Sequence, residues 1–363
     1  MRSGGWFCAG LATGLDSVGS YRCFDKLGPS IIIVRSRDQE LRAFYNTCRH
    51  RGAPVVRESQ GRTNLLRCQY HSWSYALDGR LIGVPDEQDF GCLDKSSRGL
   101  IEVRCASWAG LIFLNLSSEG PELADYLGEL PREFSTVGLN RMREVDRKSV
   151  IVDCNWKAAI DAFLEIYHVK TIHPKTVDMM LDCRAVDMAL IDHGHSRMTI
   201  RRNLTQGANF REQPQAPDIA AMDDIFRRNA VAYNVFPNLI MPVDAVGFPV
   251  MLFWPRGTHQ CELEAIFLGQ DWGAGPRPEF WEHFLEVYCQ LLDEDVQNLA
   301  GIQKSLKSGA FTGMMLSYAE RRIYWFHEEL DRRIGIDQVP AELRVPPLLS
   351  PYLEPTARLA SGQ

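Results

Sequence analysis

A chain of 363 residues, 45% of them hydrophobic, is long enough to bury a sizeable core and divides most simply into two domains. Forty Lys and Arg against 46 Asp and Glu leave a formal charge of −6 without a strongly basic stretch, which argues against nucleic acid and for small molecules or proteins as partners. The longest apolar runs, near residues 31–34 and 111–116, are far too short to cross a bilayer and the first residues lack a signal-peptide pattern, so a cytoplasmic protein with mostly reduced, buried cysteines is expected.

Up to about residue 116 the chain shows short β-rich runs, at 30–34, 41–45 and 110–116, broken by Gly, Pro and Asp turns, which predicts a compact all-β module over 1–118. A polar stretch punctuated by Gly120, Pro121, Gly128 and Pro131 reads as a linker. Beyond it, 155–167, 278–307 and 318–334 read as helices, and 197–203, 231–242, 250–254 and 261–269 as strands. That mixture predicts an α+β domain built on an antiparallel sheet over 119–363.

Two loops of the first module hold its unusual residues. Cys48-Arg49-His50 is followed, after seventeen residues, by Cys68-Gln69-Tyr70-His71, so each loop offers one thiolate and one imidazole. Such a set suits either a tetrahedral zinc ion or a [2Fe-2S] cluster with thiolates on one iron and imidazoles on the other, and spacing alone favours neither.

A second constellation lies in the helix opened by Asn155-Trp156-Lys157. At about 100° per residue, Asp161, Glu165 and His168 fall within about 60° of one another, which is no plain hydrophobic seam. On a continued helix His173 would stand about 140° from His168, but Pro174 disfavours helical geometry at the residue before it; a break there would set two imidazoles side by side as half of a metal site. In 291–306 the apolar stripe Leu292, Val296, Leu299, Gln303 and Leu306 marks one side of a helix, with Asp295 about 20° beyond its edge, Asp293 pointing sideways and Glu294 to solvent. A carboxylate at that margin is costly unless a cation offsets its desolvation, so Asp295 is the third ligand chosen on geometry.

Met179, Met180, Phe226, Tyr233, Phe236, Ile240, Met251, Phe253 and Trp254 make the intervening region apolar and aromatic. Most serve as core, and such a lining suits a ring or hydrocarbon substrate, with an amine held by cation–π contacts as the alternative. His193-Gly194-His195 reads as a polar surface turn, and His259, His283 and His327 show no partner pattern.

Cys48-Arg49-His50-Arg51-Gly52 and Cys68-Gln69-Tyr70-His71-Ser72-Trp73, followed by Asp78-Gly79, closely resemble the paired cluster-binding loops of Rieske domains in oxygenases, with Gln69 and Ser72 where the family commonly has Pro and Gly. Glu165-Ile166-Tyr167-His168 with His173, and Glu294-Asp295 with Gln303, resemble the iron-binding segments of the catalytic domains of the same oxygenases. The resemblance implies a terminal oxygenase alpha subunit, with a Rieske domain followed by a helix-grip, START-like catalytic domain. It implies one [2Fe-2S] cluster per chain on Cys48, His50, Cys68 and His71, the cysteines on the inner iron, with Tyr70 and Ser72 supplying outer contacts. It also implies one Fe(II) per chain on His168, His173 and Asp295. Glu165 stands where the family bridges this iron to the cluster of an adjacent subunit, through His71 of the partner subunit, and Asp161 stands behind the ligands.

The expected partners are dioxygen, a small organic substrate, a ferredoxin or NAD(P)H-dependent reductase, and further copies of the chain in a head-to-tail trimer. The expected reaction is hydroxylation of an aromatic or other apolar substrate, with N- or O-demethylation as the alternative. Two readings without catalysis compete: an electron-transfer Rieske protein and a zinc-stabilised binding protein.

Overall fold

A computed structural model describes residues 4–203, 219 and 222–353. The chain divides into two compact units, residues 1–123 and 124–363.

The first unit is all β, as expected. Seven strands pair in the order β1 (Phe7–Leu11), β10 (Leu111–Asn115), β9 (Glu102–Trp108), β4 (Leu41–Tyr45), β3 (Ile31–Arg35), β2 (Ser20–Phe24), β5 (Gln60–Arg62), and β6 (Leu66–Arg67), β7 (Ser74–Tyr75) and β8 (Leu81–Gly83) form a small separate sheet. The run Ile31-Ile32-Ile33-Val34 is buried on both faces, which is why it makes a central strand. Trp108 pairs with Leu111 around a two-residue loop in which Ala109 and Gly110 both have positive φ, the turn whose twist matches that of the flanking strands. The core between the sheets gathers Ile32, Val34 and Phe44 with Val55, Trp73 and Tyr75, and both loop cysteines, Cys48 and Cys68, lie within it.

The second unit is built on a seven-stranded antiparallel sheet ordered β11 (Met142–Val152), β17 (Cys261–Gln270), β16 (Gly247–Pro255), β15 (Leu239–Val243), β14 (Asn229–Val235), β13 (Ser196–Arg202), β12 (Leu181–Leu190). Four helices matter to the site: α1 (Trp156–Asp161), α2 (Val169–Ile172), α3 (Phe280–Leu306) and α4 (Arg321–Ile334). Residues of α1, α3 and α4 share one core with Phe236, Ile240, Met251, Phe253, Leu263, Ala265 and Phe267 of the sheet region. On β17 the period of two sorts side chains: Leu263, Ala265 and Phe267 join that core, while Glu262 and Glu264 between them pair with Arg256 and Arg147. The start of α3 is seated by Trp281 on the paired glycines Gly247 and Gly269; a Cβ on Gly269 would fall 2.0 Å from the indole.

The run 231–242, expected as one strand, is a hairpin of β14 and β15. The edge strands β11 and β12 were not anticipated, because their charged sequences lack a clean apolar alternation. All ten cysteines are free, half of them buried, and among the described residues no helix is long and apolar enough to cross a membrane.

Candidate metal centres

The two cysteine loops share one backbone design. Cys48 N donates to Ala53 O at 2.8 Å and Gly52 N to Cys48 O at 3.0 Å; in the second loop Cys68 N donates to Trp73 O at 2.9 Å and Ser72 N to Cys68 O at 2.9 Å. Gly52 and Ser72 occupy equivalent left-handed positions, with φ of 78° and 58°. Serine there costs about 1 kcal/mol relative to glycine, which gives the family's glycine a physical reason. Asn46 braces the first loop, its Oδ1 accepting from Val55 N at 2.8 Å and Val56 N at 3.0 Å.

The loops turn four donors toward one another. Nδ1 of His50 and Nδ1 of His71 face each other at 3.1 Å, with both rings half-buried, whereas both cysteines are buried. Burial pushes the Cys48 thiol up, and the Tyr75 hydroxyl, 3.2 Å from the sulfur, pulls it back. The same hydroxyl accepts from Arg49 N at 2.9 Å. Buried sulfurs inside and imidazoles outside fit a cluster with two unlike irons. Tyr70 is 54% exposed and lies on His71 at 3.8 Å; the contacts that sequence reasoning missed are Tyr75 on the sulfur and Trp73, which stacks on His50 at 4.8 Å. Tyr75 belongs to β7, and nothing in its local sequence pattern marks it as a partner of the sulfur.

In the second unit His168, His173 and Asp295 come together, their ligand-type atoms all within 4.8 Å of one another. His173 Nε2 lies 2.9 Å and His168 Nε2 3.4 Å from the same Asp295 oxygen. Metal bonds of about 2.1 Å place neighbouring donor atoms about 3 Å apart, a spacing close to that of each histidine from Asp295. The opposite nitrogens are held as well: His168 Nδ1 by Glu165, and His173 Nδ1 by Glu294 Oε2 at 2.6 Å. Burial disfavours charge on His168, but hydrogen bonds to Asp295 and Glu165 outweigh it and push the imidazole up to about 9. An environment that draws a proton so strongly will draw a divalent cation too.

Several expectations need correction. The helix expected over 155–167 ends at Asp161, and beyond that end Glu165 turns its carboxylate onto the backbone amides of Tyr167 and His168 in place of helical acceptors. Asp161 therefore does not share a face with Glu165 and His168; both of its oxygens lie 3.0 Å from His327 Nε2, which gives that histidine a partner. Glu294 does not point to solvent: besides His173 it accepts from Thr176 Oγ1 at 3.0 Å and Gln290 Nε2 at 2.9 Å.

His195 is fully buried instead of lying in a surface turn, accepting from Phe236 N at 2.9 Å and donating to Tyr126 O at 2.8 Å. Of the apolar set, Met179 is 45% exposed, while Phe236, Ile240, Met251 and Phe253 belong to the shared core. The break expected at His173 is present; its backbone, at φ −115° and ψ 42°, has left the helix.

Residues 5–100 match the family described as the Rieske [2Fe-2S] domain, and residues 139–336 match the ring hydroxylating alpha subunit (catalytic domain). The carnitine monooxygenase oxygenase subunit of Escherichia coli (strain K12) is 30% identical over 311 residues, 85% of this chain and 79% of the relative. A solved quaternary ammonium Rieske monooxygenase in complex with L-carnitine superimposes with a TM-score of 0.75 at 20% identity, covering 92% of this chain and 90% of the other. Naphthalene 1,2-dioxygenase from Rhodococcus sp. bound to indole does so with 0.76 at 24% identity, covering 94% and 91%. At these identities the two structures establish a shared fold. Because the family match covers more than half of the chain and meets two sets of donors of the right kinds, the chain belongs to the Rieske non-haem iron oxygenases, as an alpha subunit joining a [2Fe-2S] domain to a mononuclear-iron catalytic domain.

Proposed function

We propose that Cys48, His50, Cys68 and His71 hold the cluster, that His168, His173 and Asp295 hold the ferrous ion, and that the chain is a terminal oxygenase fed by a ferredoxin or NAD(P)H-dependent reductase in the cytoplasm. The observation that carries this reading is the convergence of both histidine Nε2 atoms on Asp295 while carboxylates hold both Nδ1 atoms. When bound, the cluster passes single electrons and the ferrous ion activates dioxygen for insertion into an organic substrate.

The chain's own residues prepare the site. Glu165 and Glu294 accept the Nδ1 protons, which fixes both tautomers and directs the Nε2 lone pairs inward. His168, His173 and Asp295 would hold the ion as three protein ligands, which would leave coordination positions for dioxygen chemistry beside a substrate. Phe163, on the connection leading to Glu165, packs on Phe253 with ring centroids 5.2 Å apart, which anchors that connection to the apolar core. Glu165 is also our candidate for the bridge to His71 of the partner subunit in a trimer; Tyr167 beside it is 72% exposed, so this segment reaches the surface. A second reading, oxidative demethylation of a quaternary amine or methoxy compound, is favoured by the carnitine monooxygenase relative.

Iron and acid-labile sulfide analysis, with electron paramagnetic resonance of the reduced protein, tests the assignment. About three irons and two sulfides per chain are expected, with one iron lost and the cluster signal kept in His168→Ala or Asp295→Ala. Cluster iron alone would leave an electron carrier, and zinc in a colourless protein a binding module. Product analysis with a trimethylammonium compound against naphthalene separates demethylation from ring hydroxylation.

A further inference from the structure

We infer that Arg322 and His327 are positioning residues of the iron site, through which α4 clamps the unwound connection between Asp161 and Glu165 and so sets where Glu165 and His168 stand. The inference rests on the metal assignment proposed above.

Arg322 is fully buried, and among the described residues no carboxylate pairs with it. Its acceptors are neutral and come from three separate pieces of chain: Ser196 Oγ at 2.9 Å, Leu164 O at 3.3 Å and Ala232 O at 3.3 Å. Burial, with Arg321 nearby, pushes its pKa down to about 9. A buried guanidinium whose partners among the described residues are all neutral is a costly way to fill a core, so what it holds is informative.

Leu164 O is the informative contact. Had α1 continued, this carbonyl would accept from His168 N, four residues on. Instead Arg322 takes the carbonyl while Glu165 takes the amide, at 3.2 Å from its Oε2. Both halves of one helical hydrogen bond are thus diverted, and the diversion is what leaves Glu165 beside His168 Nδ1. The guanidinium also suits the negative end of α1, where the last carbonyls lack helical donors.

His327 grips the other end of the same connection. Asp161 closes α1, a place where a negative charge opposes the helix dipole, and it is only 8% exposed. His327 Nε2 stands 3.0 Å from both of its oxygens and supplies the donor that makes this tolerable. Two side chains of one helix therefore hold the connection at Asp161 and at Leu164, immediately before the segment that carries Glu165 and His168.

The test is ferrous-ion titration of cluster-replete protein, with the visible spectrum of the cobalt(II)-substituted iron site as a geometric readout and thermal unfolding alongside. Arg322→Met and His327→Phe are expected to weaken ferrous binding by roughly tenfold to a hundredfold and to alter the cobalt spectrum, with the cluster signal unchanged. Arg322→Lys and His327→Gln, which keep a donor toward Leu164 O and Asp161, should recover much of both. Variants that keep native affinity and spectrum and lose only thermal stability would show that α4 merely packs, and would overturn the inference. If Arg322→Met does not fold, the half-buried His327 carries the test through His327→Phe. His168→Ala is the control: undiminished ferrous binding in that variant would refute the metal assignment itself, whereas its loss alongside native binding by the α4 variants refutes the clamp alone.

Discussion

Glu294 Oε2 lies 2.6 Å from Nδ1 of His173, whose Nε2 stands 2.9 Å from Asp295. Successive residues of α3 thus reach opposite nitrogens of one imidazole, one carboxylate at the ligand position and the other behind the ring. Thr176 and Gln290 hold the second carboxylate in place.

From this follows the first prediction. Glu294→Ala frees the imidazole to rotate and removes its charged acceptor, and should weaken ferrous binding by about tenfold to a hundredfold. Glu294→Gln, which can still accept from Nδ1–H, should lose less. Ferrous titration against a chromophoric chelator measures both.

Tyr75→Phe removes the hydroxyl at the Cys48 sulfur without opening the core. Hydrogen bonds to cluster sulfurs favour the reduced state, so the reduction potential should drop. One such bond, at about 1 kcal/mol, corresponds to roughly 40 mV for a single electron. Redox titration followed by visible absorption reads the shift; an unchanged potential would mean that the hydroxyl does not contact the occupied cluster.

His195 supplies a pH dependence. Burial pushes its pKa down to about 3 from 6.5. The folded form therefore binds fewer protons than the unfolded chain, so the associated stability is complete above the unfolded value and is lost as pH falls from about 6.5 toward 3, at about 1.4 kcal/mol per unit. Denaturant unfolding at pH 7.5 and 5 should show a smaller acid loss in His195→Gln than in the parent chain.

Gly269→Ala places a methyl group into the Trp281 indole. Neither partner can yield easily, because Gly269 is paired across the sheet with Gly247, which the same indole also covers. A loss of about 1–3 kcal/mol is expected, read as a lower melting transition of the catalytic unit.

The residues alone settled a good deal. The two loops with one Cys and one His apiece, the break before Pro174, and Asp295 at the margin of an apolar stripe all follow from local spacing, because 3.6-residue periodicity and proline sterics act within a few residues. Local periodicity could not settle whether the segment after Asp161 stays helical. That depended on Arg322, 158 residues from Leu164, competing for one carbonyl, and on a side chain three residues back capturing the matching amide. Nor could it orient Glu294, whose angle on an isolated helix faces water and whose partner His173 comes from 121 residues away. Tyr75 at the sulfur, His327 on Asp161 and the buried tautomer of His195 belong to the same class. Their roles arise from hydrogen bonds between distant segments, which pattern within a window cannot contain and which only the folded chain brings within reach.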